Sequence, residues 1–200
     1  NHALQAIAVV LAAGLISVVV GLVIAGGADP LQFTDPGPVV RWGAPFAKLV
    51  MNFAMATTVG SLVLSAFAGN QEERAKLSRV SSGAAALWAG AAAVNFVMTY
   101  LSVSGSAISY GSTFSDGLWL FALLVWNLGF AFLLSLSTLA FNGRRMNAVN
   151  AAIAIAGLYP LAASGHASAD AGHALAVNSL LMHLVGISIW VGGLIALYAV

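Results

Sequence analysis

The 200-residue sequence predicts an all-α membrane protein: a polytopic bundle of about six transmembrane helices with its N-terminus in the cytoplasm. Three observations predict it. Hydrophobic residues make up 60% of the chain and charged residues 6%, where a soluble domain is about 25% charged; a water-exposed surface could not be coated. The apolar residues fall in blocks of roughly 18 or more, the length that crosses a hydrocarbon core. The basic residues are concentrated in alternate loops, as in membrane proteins whose Lys- and Arg-rich loops face the cytoplasm.

The first span is expected from about Ala3 to Ala25 and is closed by Gly26-Gly27-Ala28-Asp29-Pro30. Its apolar length and the lack of a basic leading segment suit a spanning helix better than a signal peptide. Thr34, Asp35, Pro36, Gly37 and Pro38 form a turn-rich loop. The second span runs from about Gly43 to Ala68, with Trp42 as an interface anchor. A polar segment follows, Asn70 to Ser82, with Glu72, Glu73, Arg74, Lys76 and Arg79. The third span runs from about Gly83 to Leu101, and a Ser/Gly loop leads through Tyr110 to Asp116. The fourth spans Gly117 to Phe141 and is followed by the short loop Asn142 to Asn147, with Arg144 and Arg145. The fifth spans Ala148 to Ser164, with Pro160 one turn before its end. The loop Gly165 to His173 leads into the sixth, from about Ala174. Residues 1–200 read as one transmembrane domain. The start at Asn1 without a Met and the stop at Val200 inside an apolar run suggest a fragment of a longer membrane protein.

The loop with Arg74, Lys76 and Arg79 and the loop with Arg144 and Arg145 set the orientation. The other three loops carry mainly Asp29, Asp35, Asp116 and Asp170, against Arg41. The loop holding His166 and His173 is then on the outer face, and Lys48 can snorkel to that same surface. A net charge of +1 gives no field to attract nucleic acid. The absence of cysteine excludes disulfides, thiolate metal sites and cysteine nucleophiles. No nucleophile elbow, phosphate loop or intramembrane carboxylate is present. The sequence therefore argues against an enzyme and against a proton relay.

Candidate chemistry lies in the histidines and methionines. His2 sits at the ragged start and is set aside. His166, Asp170 and His173 have spacings of four and three, so they share a face if their segment is helical. Imidazole with carboxylate suits copper or zinc; a solvated loop is the plainer reading. His183 lies well inside the sixth span, where a titratable group needs a partner. That partner is either a ligand or an amide from Asn52, Asn95, Asn127 or Asn178. Met51 and Met55 are one turn apart, and Met51 lies at a depth comparable with His183. Thioether with imidazole favours Cu(I), although methionine is also ordinary packing material.

The stretch GHASADAGHALAVNSLLMHLVGISIWVGGLIAL, from Gly165 to Leu197, resembles the copper resistance protein D (CopD) family of bacterial membrane proteins. The likeness rests on the loop Gly-His, the second His at the head of the next helix, and His183 followed by Trp190-Val191-Gly192-Gly193-Leu194. The stretch RWGAPFAKLVMNFAMATTVGSLVLSAFA, from Arg41, is similar to actinobacterial members in which this portion leads a longer chain. The later half of those chains resembles a copper-handling cytochrome c oxidase assembly protein. The resemblance implies copper transport or delivery at the bacterial plasma membrane, through His166, His173 and His183, with Trp190, Gly192 and Gly193 shaping the helix. Its implied partners are the lipid bilayer, copper ion, and cytochrome c oxidase or an extracytoplasmic copper chaperone. Met51 and Met55 are added from their own chemistry. Two rival readings stand beside it: a respiratory-complex subunit without metal, and a haem- or quinone-binding protein.

Overall fold

The computed structural model describes residues 2–32, 35–68, 70–104, 118–141, 143–164 and 173–200. These residues form seven helices and no strand: α1 (His2–Ile24), α2 (Pro38–Phe67), α3 (Gln71–Ser104), α4 (Leu118–Ala140), α5 (Arg144–Ala156), α6 (Tyr159–Ala163) and α7 (His173–Ala199). Five helical segments are long and apolar enough to cross a membrane: Pro38–Phe67, Gln71–Ser102, Phe121–Ala140, Arg144–Ala163 and Ala174–Ala199. A shorter apolar helix, Ala8–Ile24, lies within α1. The chain is a multi-pass helical membrane protein.

α2 is the central element. Gly37, at φ +89°, turns the chain in a conformation that favours glycine, and Pro38 then sits in the first helical turn. There its fixed φ suits the helix and its missing N–H costs nothing. α2 packs against α3, α5 and α7 and touches α1. Its residues Met51, Met55, Val59 and Leu62 form a buried stripe, joined in the core by Trp88 of α3, Leu134 of α4 and Ala151 of α5. α1 is peripheral and presents Val9, Ile16, Val23 and Ile24 outward. Such exposure is cheap in lipid, where the tails are as apolar as the side chains. Helix association there depends on close packing and hydrogen bonds.

The polar segment Asn70 to Ser82 is not the loop its composition suggests. α3 begins at Gln71 and carries these residues as its first turns. The Asn70 side-chain oxygen accepts a hydrogen bond from the Glu73 N–H at 2.8 Å, an N-terminal cap. Glu72 and Glu73 lie in the first turn, where the helix dipole favours them. Glu72 also pairs with Lys76 at 3.3 Å, one turn on. The helix thus starts about 12 residues before the apolar run does.

The fifth span also departs from expectation. It starts at Arg144 and breaks near Gly157, giving α5 and the short α6. Pro160 has no N–H to continue the ladder. The break is buried against protein rather than lipid, as an interrupted membrane helix requires. Asn127 of α4 donates to the Gly157 carbonyl at 3.3 Å and accepts from the Trp88 indole N–H at 3.2 Å. Asn127 is therefore held in a structural clasp.

Two sets of basic residues mark opposite ends of the bundle. At the C-terminal end of α2, Arg144 donates to the Ala66 carbonyl at 2.9 Å and Arg74 to the Ala68 carbonyl at 3.1 Å. Both guanidinium groups satisfy carbonyls that a helix end leaves free. At the other end, Arg41 donates to the Ala28 carbonyl at 3.1 Å and pairs with Asp35. The Arg41 hydrogen bond holds the Asp35 carboxyl below its usual range.

Candidate functional site

α2 and α7 cross at a contact that only glycine permits. A Cβ added to Gly60 would lie 2.1 Å from the Gly193 backbone nitrogen, and one added to Gly192 would lie 1.8 Å from the Ala56 carbonyl oxygen. The backbones touch, so no side-chain adjustment could make room. This gives Gly192 a physical role and adds Gly60, which sequence reasoning did not single out; a Cβ on Gly193 would meet only the Leu64 side chain, at an ordinary 3.7 Å. The available signal was a glycine in an apolar helix, a small residue of the kind that lets membrane helices approach closely.

Beside this contact the two helices leave a lateral cleft of about 280 Å³. His183 precedes Gly192 by nine residues, about 13.5 Å of helix at 1.5 Å per residue. The cleft is lined by His183, Ile187 and Ser188 from α7, and by Asn52, Met55 and Ala56 from α2. Its walls are largely apolar. Met55 is 2% exposed and Ser188 also 2%, whereas His183 is exposed on the side of the bundle. His183 is therefore deep along the helix but not enclosed by the described helices. Asn52 shares its cleft, yet no hydrogen bond to either His183 or Asn52 is found among the described residues. The expected amide partner is absent there, and Asn127 is committed to Trp88 and Gly157.

Met51 faces elsewhere. It lines a second cavity, of about 390 Å³, bounded by α2, α3, α4 and α6. Asn95, Thr99, Asn127 and Ser164 supply polar atoms, and Lys48 stands exposed in its lining. Met51 is 2% exposed and Asn95 8% exposed. The methionines thus share a stripe of α2 but open onto different cavities.

His166 and Asp170 lie outside the described residues. His173 begins α7, but its side chain also lies outside the description. Among the described residues, no three His, Cys, Asp or Glu side chains cluster as a metal site. The described donor set for a soft cation is therefore thioether, imidazole, amide and hydroxyl, all neutral when the imidazole is unprotonated. Such a set suits Cu(I) better than a hard divalent ion.

Residues 38–177 match the family described as Copper resistance protein D-like, N-terminal domain. The match includes Met51, Met55, His166, Asp170 and His173 and ends before His183. No curated protein and no solved structure matches the chain.

Proposed function

The chain belongs to the copper resistance protein D-like family, and from that premise we propose that it transports copper across, or delivers copper at, a bacterial plasma membrane. The observation that carries this reading is the cleft lined by both Met55 of α2 and His183 of α7. Thioether and imidazole are strong ligands for Cu(I), and the apolar walls exclude competing water. In this reading the basic end of the bundle, with Arg74, Arg79, Arg144 and Arg145, lies in the cytoplasm. His166, His173 and Asp170 then capture the ion at the outer face, and His183 with the methionines holds it within the membrane. Copper is cargo here, and no catalytic step is assigned. An oxidase under assembly or an extracytoplasmic copper chaperone fits as acceptor or donor.

Substitution at His183 tests the reading. Copper accumulation or delivery, at matched expression, should rank His first, then Met, then Gln and Ala. Thioether replaces imidazole as a Cu(I) ligand, whereas an amide is a poor one. If Gln matches the native residue while Met fails, His183 is a packing residue and the cleft is not a copper site. The rival reading is a respiratory-complex subunit without metal. Purified protein that binds no Cu(I) would overturn the copper reading and leave the rival standing.

A further inference from the structure

Resting on the reading above, we infer that the two cavities are successive compartments of one path, and that the Met51–Met55 turn of α2 is the step between them. Among the described residues the two thioethers are the only methionines buried in the core, and each lines a different cavity. They are one helical turn apart, about 6 Å along the axis. Transfer between them is a ligand exchange in which Cu(I) keeps its oxidation state. Proton and electron balance are untouched.

The Met51 compartment is built to hold a small polar or cationic species rather than lipid. Asn95 is 8% exposed, lines this compartment and has no hydrogen bond among the described residues, so its amide is free for water or for an ion. Its amide atoms are not among the fully enclosed side-chain atoms that lack a partner, so water in the compartment can reach them. The hydroxyls of Thr99 and Ser164 extend the same lining. Lys48 is the single charged lining group and is exposed. Its repulsion of an incoming cation grows with that cation's charge, so it opposes Cu(II) more than Cu(I). The Met55 compartment is drier and holds the imidazole. The order is thus a hydrated compartment with one thioether, then an apolar one with thioether and imidazole.

The test uses the full chain in proteoliposomes, with Ag(I), a redox-inert cation of the same charge and softness, as the probe. Met51→Leu and Met55→Leu conserve volume and apolar surface. Each should slow Ag(I) passage at least tenfold, and the double variant should be at most about twofold slower than the worse single one, because resistances in series add and do not multiply. Separately, the described chain has no cysteine, so Thr99→Cys alone reports on its compartment. It should react with a water-soluble, membrane-impermeant maleimide added from the side opposite the basic loops. If Met51→Leu passes Ag(I) like the native protein while Met55→Leu and His183→Gln do not, the cleft reading survives and the two-compartment path is overturned. An unreactive Thr99→Cys also overturns the path, by showing a closed compartment. If the native protein neither binds nor passes Ag(I) or Cu(I), the copper reading itself fails.

Discussion

The two sides of α2 are held to their neighbours by opposite means. Against α7 the contact is bare backbone, with Gly60 on Gly192 and Gly193. Toward α3 and α5 a polar seam joins the apolar core: Asn147 donates to the Ser78 hydroxyl at 2.9 Å and also to the Ser65 hydroxyl. Nearby, Ser137 of α4 donates to Asn150 of α5 at 2.8 Å. A hydrogen-bonded seam fixes register, because each donor must meet its own acceptor. A glycine seam fixes distance and leaves the helices free to diverge beyond the crossing. The candidate copper cleft lies beside the glycine seam, between the same two helices.

Breaking the glycine seam should have the largest effect. Gly60→Ala or Gly192→Ala places a methyl where backbone already sits, and the helices must separate. A loss of about 3 kcal/mol or more is expected, at the upper end of overpacking costs. It would be measured by unfolding in mixed micelles. Loss of copper binding should accompany it, because Met55 and His183 are carried on the two separated helices. A Gly60→Ala protein with native stability would show that the crossing is looser than described.

Breaking the polar seam should cost less. Asn147→Ala removes both hydrogen bonds to serine, but it also removes a buried side-chain oxygen that has no partner among the described residues. The second change offsets part of the first, leaving a net loss of about 1 kcal/mol, near the measured values for membrane hydrogen bonds. Copper binding at the distant cleft should persist. If Asn147→Ala were as damaging as Gly60→Ala, the distinction between the seams would disappear.

The smallest effect belongs to the ion pair outside both seams. Asp35 is exposed and its carboxyl titrates below the ordinary value of 3.8 because Arg41 binds the charged form. A lowered carboxyl stabilises the fold above that ordinary value, and the contribution is lost as pH falls through the lowered one. Asp35→Asn should therefore leave stability at pH 7 within error, since exposed pairs contribute little. It should flatten the acid limb of a stability profile below about pH 4. A large loss at pH 7 would mean that the Arg41 pair organises more of the α1–α2 link than its exposure suggests.

Much of the fold was legible because lipid imposes a simple rule: apolar blocks of sufficient length become helices. Helix starts were less legible. The polar residues after Asn70 looked like a loop, since hydropathy registers where lipid begins and not where the backbone becomes helical. The Asn70 cap and the Glu72–Lys76 pair carried that missing information. The positions of Met51 and His183 along their helices could be read from rise per residue. Their facing could not, because α7 is apolar on nearly every side and no stripe marks its inner face. His183 accordingly lines a lateral cleft instead of the enclosed interior. The separation of Met51 from Met55 was equally hidden, since it depends on where α3 and α7 leave space around α2.

The described linings of both cavities contain no carboxylate. If the protein carries Cu(I) as proposed, an ion held by thioether, imidazole and amide would keep its whole charge on the way through. Membrane voltage then acts on it directly, by about 2.3 kcal/mol per elementary charge for each 100 mV crossed. On the proposed transport reading, a cytoplasm about 100 mV negative would favour inward movement by a concentration ratio of roughly fifty.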